Sequence, residues 1–138
     1  MKKRISARGI IITGNSVYTM FRRRIKEDGT LKEYYVLPGG GINENEELTD
    51  GILREMKEEF SVDVKIIGYL GKDENEETIA HFFHCEIITG TPALGGEELK
   101  KCCDNNYYEI RQVSINDLDR IDIMAKAMIL KAYYKEYE

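Results

Sequence analysis

Proline is scarce in this chain, with 2 in 138 residues, and cysteine is limited to 3 residues without a framework spacing. An odd, unpatterned set of cysteines argues against a disulfide scaffold and suits a reducing compartment. Positive charge is the minority sign. Lys and Arg number 20 against 25 Asp and Glu, for a formal net charge of −5 and a pI near 5.2. A nucleic-acid polymer wants a basic face, so this balance argues against one as the main partner. A small phosphorylated ligand stays compatible, because a bound metal and a few arginines neutralise it locally. No apolar run approaches the ~20 residues needed to cross a bilayer. The start, Met1-Lys2-Lys3-Arg4, leads into Ile5-Ser6-Ala7-Arg8 rather than an apolar h-region, so no signal peptide is expected. Repeats, low-complexity tracts and linkers are also missing. With 42% hydrophobic residues the chain can bury one core, and the expectation is a single cytoplasmic domain over residues 1–138.

The patterning predicts strands interleaved with two helices. Ala7 to Thr13 is a short apolar run, Gly14-Asn15 a turn, and Ser16 to Arg24 a second strand, so the two form a hairpin. Tyr34 to Leu37 is a third strand, stopped by Pro38 and the glycine loop Gly39 to Gly41. From Glu47 to Phe60 the period becomes helical, with Leu48, Ile52, Met56 and Phe60 every four residues and Leu53 on the same side. Val62 to Leu70 and Ile79 to Ile88 read as strands around an acidic loop, Lys72 to Glu77, and Tyr107 to Val113 as another. Ile121 to Tyr137 reads as a second helix with Met124, Met128 and Ile129 in the core. Such an order implies a mixed sheet covered by helices.

The chemistry concentrates where the glycine loop meets the first helix. Glu55, Glu58 and Glu59 stand three and four residues apart, so their carboxylates converge on one point. With ~100° between successive residues, the apolar positions span an arc from roughly 0° to 120°. Glu59 falls inside that arc at roughly 20°, and Glu55 lies at its edge near −20°. A plain amphipathic helix would put these acids on the far side. Like charges at this spacing repel by a few tenths of a kcal/mol in water and by more when partly buried, so something positive should sit between them. The candidates are a buried Arg or Lys, or a divalent cation. Carboxylate oxygens without nearby Cys or His suit Mg²⁺ or Mn²⁺.

Gly40, Glu46, Arg54-Glu55, Met56-Lys57, Glu58-Glu59, Phe60, Ser61 and Val62 resemble the box of the Nudix (MutT-like) hydrolase family, with all positions but one matched. Six fixed positions at roughly one in ten each make a chance match on the order of 10⁻⁴ for a chain this short. The departure is Ser61, where the family usually has glycine to end the helix in a left-handed conformation; serine there costs about 1 kcal/mol. Asn45 also replaces a frequent glycine, and asparagine tolerates positive φ.

The resemblance implies a Nudix-type α/β/α sandwich with a mixed β-sheet. It implies an enzyme that hydrolyses a nucleoside diphosphate linked to another moiety, with Mg²⁺ or Mn²⁺ lowering the pKa of the attacking water and neutralising the diphosphate. Glu55, Glu58 and Glu59 match the family's metal-binding glutamates, with Gly40 beside them, and Arg54 and Glu46 match its internal ion pair. Gly41 lets the backbone approach the phosphates. Arg54, Glu55 and Glu58 are candidate catalytic residues, together with Glu98 from the loop Gly95-Gly96-Glu97-Glu98, because a further glutamate often comes from a distant loop. Which carboxylate is the base stays open. Family members are often dimers, so a homodimer is compatible, although no segment decides it. Marks of the nucleotide-sugar, dinucleoside polyphosphate and coenzyme A hydrolases are missing, so the substrate is open. An alternative is a catalytically silent Nudix domain that binds a nucleotide as a sensor. A third reading is a non-enzymatic acidic helical interaction module. The complete Arg54, Glu55, Glu58 and Glu59 set favours the enzyme.

Several other residues carry a functional and a plain reading side by side. Arg22 and Arg24 share one strand face and could grip phosphates, or they form a solvated face. His81 and His84 lie three apart on a strand, on opposite faces, which argues against joint metal ligation. Adjacent Cys102 and Cys103 read as free thiols. Tyr133, Tyr134 and Tyr137 fit packing better than base stacking. Gly51, inside the helix, costs about 1 kcal/mol unless the helix packs closely there.

Overall fold

The computed structural model describes residues 2–95 and 106–138. Strand β1 (Arg4–Thr13) is the hub of a seven-stranded mixed sheet. It pairs in parallel with β6 (Thr78–Thr89), from Arg4 opposite Thr78 to Ile11 opposite Cys85. It runs antiparallel to β4 (Gly39–Gly41) along one edge. At its end it turns through Gly14-Asn15 into β2 (Ser16–Ile25), as a hairpin that closes only Ile12 on Val17 and Thr13 on Ser16. Strand β2 then lies between β3 (Leu31–Val36) and β7 (Asn106–Ser114), and β5 (Asp63–Glu74) completes the sheet beyond β6.

Alternation along β1 divides two cores between the two faces. Ala7 and Ile11 pack with Ile52, Met56 and Phe60 of helix α1 (Leu48–Phe60). Ile10 faces the other way and joins Phe82, Leu118, Met128 and Ile129 under a 3₁₀ turn (Ile115–Arg120) and helix α2 (Lys126–Tyr133). Helical layers on both sides of a mixed sheet make the expected α/β/α sandwich.

Three local expectations need correction. The glycine triplet is a short strand, not a loop, because Gly39, Gly40 and Gly41 pair with Arg8, Ala7 and Ser6. The acidic loop shrinks to a turn, since β5 continues to Glu74, and Asn75 Oδ1 accepts from the Glu77 and Thr78 amides. The second helix spans only Lys126–Tyr133. Ahead of it the Tyr35 amide donates to the Asp122 carbonyl, and Ile123 bridges to Tyr35, so this stretch satisfies the backbone of β3 rather than its own. Met124 is consequently exposed, while Met128 and Ile129 are core. Leu53, at the limit of the apolar arc of α1, is 39% exposed rather than core.

Candidate active site

Helix α1 carries the site, and its two unusual backbone positions are those singled out in the sequence. Ser61 ends the helix at φ 62°, ψ 28°, with its amide on the Lys57 carbonyl and its Oγ on the Ala93 carbonyl. Asn45, in the loop leading to the helix, has φ 67°. The tolerance for Gly51 comes from this loop rather than from the sheet: a Cβ there would meet Ile42 Cδ1 at 2.4 Å and Glu46 Oε1 at 3.2 Å.

The carboxylates lie where the helical projection put them. Glu55 and Glu59 are buried at 7% and 8% exposure, whereas the Glu58 side chain is half exposed. One carboxylate oxygen from each of the three comes within 4.8 Å of the others. Arg54 supplies the positive charge expected near them. Its Nε and Nη2 donate to the two oxygens of Glu46 at 2.8 and 2.9 Å, Nη2 also reaches the Gly41 carbonyl, and Nη1 donates to Glu55 and Glu58 at 2.9 and 3.0 Å. This two-point grip on Glu46 is the geometry arginine forms best with a carboxylate. The Arg54 guanidinium, with help from the Asn43 amide, lowers the Glu46 pKa to about 2. Glu55 moves the opposite way, because burial raises its pKa against the lowering effect of Arg54.

Arg54 does not satisfy the whole cluster. Glu59 Oε2 is buried without a hydrogen-bond partner. Gly40 presses on the same group from the strand side, where a Cβ would stand 2.4 Å from Glu55 Oε2 and 2.7 Å from its Cδ. Three hard oxygen donors, one of them orphaned in the interior, fit a divalent cation of the Mg²⁺ class.

Other candidates fall elsewhere. Arg22 donates Nη2 to the Tyr108 hydroxyl and lies over the Tyr34 and Tyr108 rings, and Arg24 is exposed further along β2; neither enters the contacts around Arg54. Glu98, Cys102 and Cys103 lie outside the described residues. His81 bonds Tyr69 on one face of β6, and His84 bonds Tyr137 on the other. Tyr133 is tied to Asn15. The residue that the sequence reading missed is Arg8, whose Nη1 donates to the Leu37 and Gly39 carbonyls and braces the glycine strand. Its signal was available: an arginine embedded between apolar and small residues inside a central strand.

A family model, the NUDIX domain, matches residues 2–128. The chain belongs to the Nudix family. Nudix hydrolases are pyrophosphohydrolases, enzymes that cleave nucleoside diphosphate derivatives at phosphoanhydride bonds, and this chain stands among them. A direct search of curated protein sequences finds no match. Solved structures share the Nudix fold at low identity. A MutT NUDIX hydrolase from Burkholderia pseudomallei superposes with a TM-score of 0.72 at 17% identity, covering 96% of this chain and 98% of that one. An ADP-ribose pyrophosphatase from Streptococcus suis gives 0.68 at 18%, covering 99% and 97%. A UDP-X diphosphatase gives 0.68 at 15%, covering 98% of this chain and 64% of the other.

Proposed function

We propose that this Nudix protein is a Mg²⁺- or Mn²⁺-dependent hydrolase of a nucleoside diphosphate linked to another moiety, acting on a small cytoplasmic metabolite. The observation that carries this reading is the convergence of Glu55, Glu58 and Glu59 with a buried, unpartnered oxygen on Glu59. These three side chains would hold the metal, with the backbone of Gly40 alongside. A divalent cation bound there neutralises diphosphate oxygens and lowers the pKa of a water molecule. In the net reaction water oxygen bonds to one phosphorus, the phosphoanhydride P–O bond breaks, and the bridging oxygen leaves with the other phosphate.

The chain's own residues prepare this reaction. Glu46 holds Arg54, and Arg54 holds Glu55, Glu58 and the Gly41 carbonyl, so helix, loop and glycine strand keep one relative placement. Arg54 is therefore a positioning residue. Glu58, the most exposed of the three acids, is the one best placed to exchange protons with solvent.

The test is product formation from a panel of nucleoside triphosphates, ADP-ribose, other nucleotide sugars and dinucleoside polyphosphates, with and without Mg²⁺. Metal-dependent cleavage of one class, reduced by orders of magnitude in Glu58→Gln, is the expected result. Cleavage of none by protein that still binds Mg²⁺ would overturn the hydrolase and favour a nucleotide sensor.

A further inference from the structure

Strand β1 presents different chemistry to each side. Ala7, Gly9 and Ile11 turn toward α1, and a Cβ on Gly9 would meet Met56 Sδ at 2.8 Å. Arg4, Ser6 and Arg8 turn to the opposite face, beside Thr78, Ala80 and Phe82 of β6. There they line a cavity of about 630 Å³, walled by Tyr34 and Tyr35 and roofed by the 122–125 segment.

The glycine strand separates this cavity from the carboxylates. Gly40 lies against Glu55 on one side. On the other, Arg8 binds the Leu37 and Gly39 carbonyls, and Arg4 lies alongside Gly41, with Nη2 3.5 Å from where a Cβ would stand. Three residues without side chains thus lie between an anionic cluster and two guanidinium groups. Three acids also line the cavity, but Glu74 is paired with Lys3 at 2.7 Å, Asp73 sits on β5 opposite Ala80, two strands away from β1, and Asp122 lies in the roof, where its carbonyl accepts from the Tyr35 amide of β3. At ~4.8 Å per strand that places Asp73 about 10 Å from the arginine row.

We propose that Arg4 and Arg8 hold a phosphoryl group of the substrate at the mouth of this cavity, so that the diphosphate straddles the glycine strand with its other phosphate toward Glu55, Glu58 and Glu59. Guanidinium groups match phosphate oxygens in charge and fork geometry. The carboxylates repel a phosphate until a cation is bound, whereas the arginines attract it at all times. Binding of a diphosphate therefore has a component that needs no metal. The proposal rests on the hydrolase reading for its substrate but has its own readout.

The experiment is calorimetric titration of the protein with inorganic pyrophosphate in excess EDTA, at low and at moderate salt. Wild type binds, more weakly as salt rises, and Arg4→Gln weakens binding at least tenfold. Arg4→Lys recovers part of the loss, and Lys65→Gln, which removes an exposed charge on β5, changes nothing. Arg4 is itself exposed, so its replacement leaves the core intact. Absence of metal-free binding in wild type, or undiminished binding by Arg4→Gln, overturns the proposal. In the substrate panel the same variant should raise KM more than it lowers kcat. A protein that cleaves with an unchanged KM in Arg4→Gln keeps the hydrolase and loses this inference. One that cleaves nothing but binds pyrophosphate through Arg4 does the reverse.

Discussion

Replacing Glu59 by methionine should stabilise the metal-free protein and remove its response to Mg²⁺. Glu59 is 8% exposed, sits among the apolar positions of α1, and leaves Oε2 without a partner. An unsatisfied buried polar group costs about 1–3 kcal/mol, and more when charged. Proximity to the other acids adds to this. Unit charges at 4.8 Å, the widest separation in this cluster, repel by about 3.5 kcal/mol at an effective dielectric of 20, and Arg54 offsets part of this at Glu55 and Glu58. Methionine keeps the length of the side chain, carries no charge and packs adaptably. A net gain of about 1–2 kcal/mol follows, equivalent to roughly 3–7 °C in Tm for a chain of this size. Wild type should gain about 2.7 kcal/mol from Mg²⁺ at a hundredfold excess over Kd, and the variant little. Thermal unfolding in EDTA and in Mg²⁺ measures both. A lower Tm for Glu59→Met in EDTA, or an undiminished Mg²⁺ shift, would refute the assignment of Glu59 as a strained, metal-directed carboxylate.

Three further outcomes are expected. Gly40→Ala places its methyl group 2.4 Å from the present position of Glu55 Oε2, and the carboxylate can swing aside; Mg²⁺ affinity should fall about 10- to 100-fold by titration while Tm changes little. Ser61→Gly relieves a left-handed serine at about 1–2 kcal/mol but loses the exposed bond to the Ala93 carbonyl, so denaturant unfolding should show a net gain of about 0.5–1 kcal/mol. Burial, then Lys135, holds the His84 pKa below its ordinary 6.5, with Glu86 opposing. The unfolded chain therefore takes up the proton first, so this contribution is full above pH 6.5 and is lost as pH falls below it. Tm should drop between pH 7 and 5, and by less in His84→Gln; an identical pH profile in the variant would exclude His84 as the source.

The box and its helix were legible because they are local. Spacing alone fixes which residues of a helix share a face, so the placement of Glu59 within the apolar arc survived folding unchanged, as did the left-handed turn at Ser61. The sandwich followed from the order of strands and helices. What failed was where backbone pairing was settled by a distant partner. Glycines look like a loop until β1 provides their hydrogen bonds, and the stretch from Ile121 to Ala125 looks helical until Tyr35 takes the Asp122 carbonyl. Periodicity carries no information about such partners.

The sequence by itself determined the family chemistry: three carboxylates on one helix, a run of glycines before it and the Glu46–Arg54 pair between them. Tertiary structure decided how charge is distributed around that strand. Only the parallel register of β1 with β6 and its antiparallel register with β4 put Glu55 on one side of the glycines and Arg4 and Arg8 on the other. A strand's alternation states which residues share a face, but what lies across that face is set by neighbours about 70 residues away in the chain.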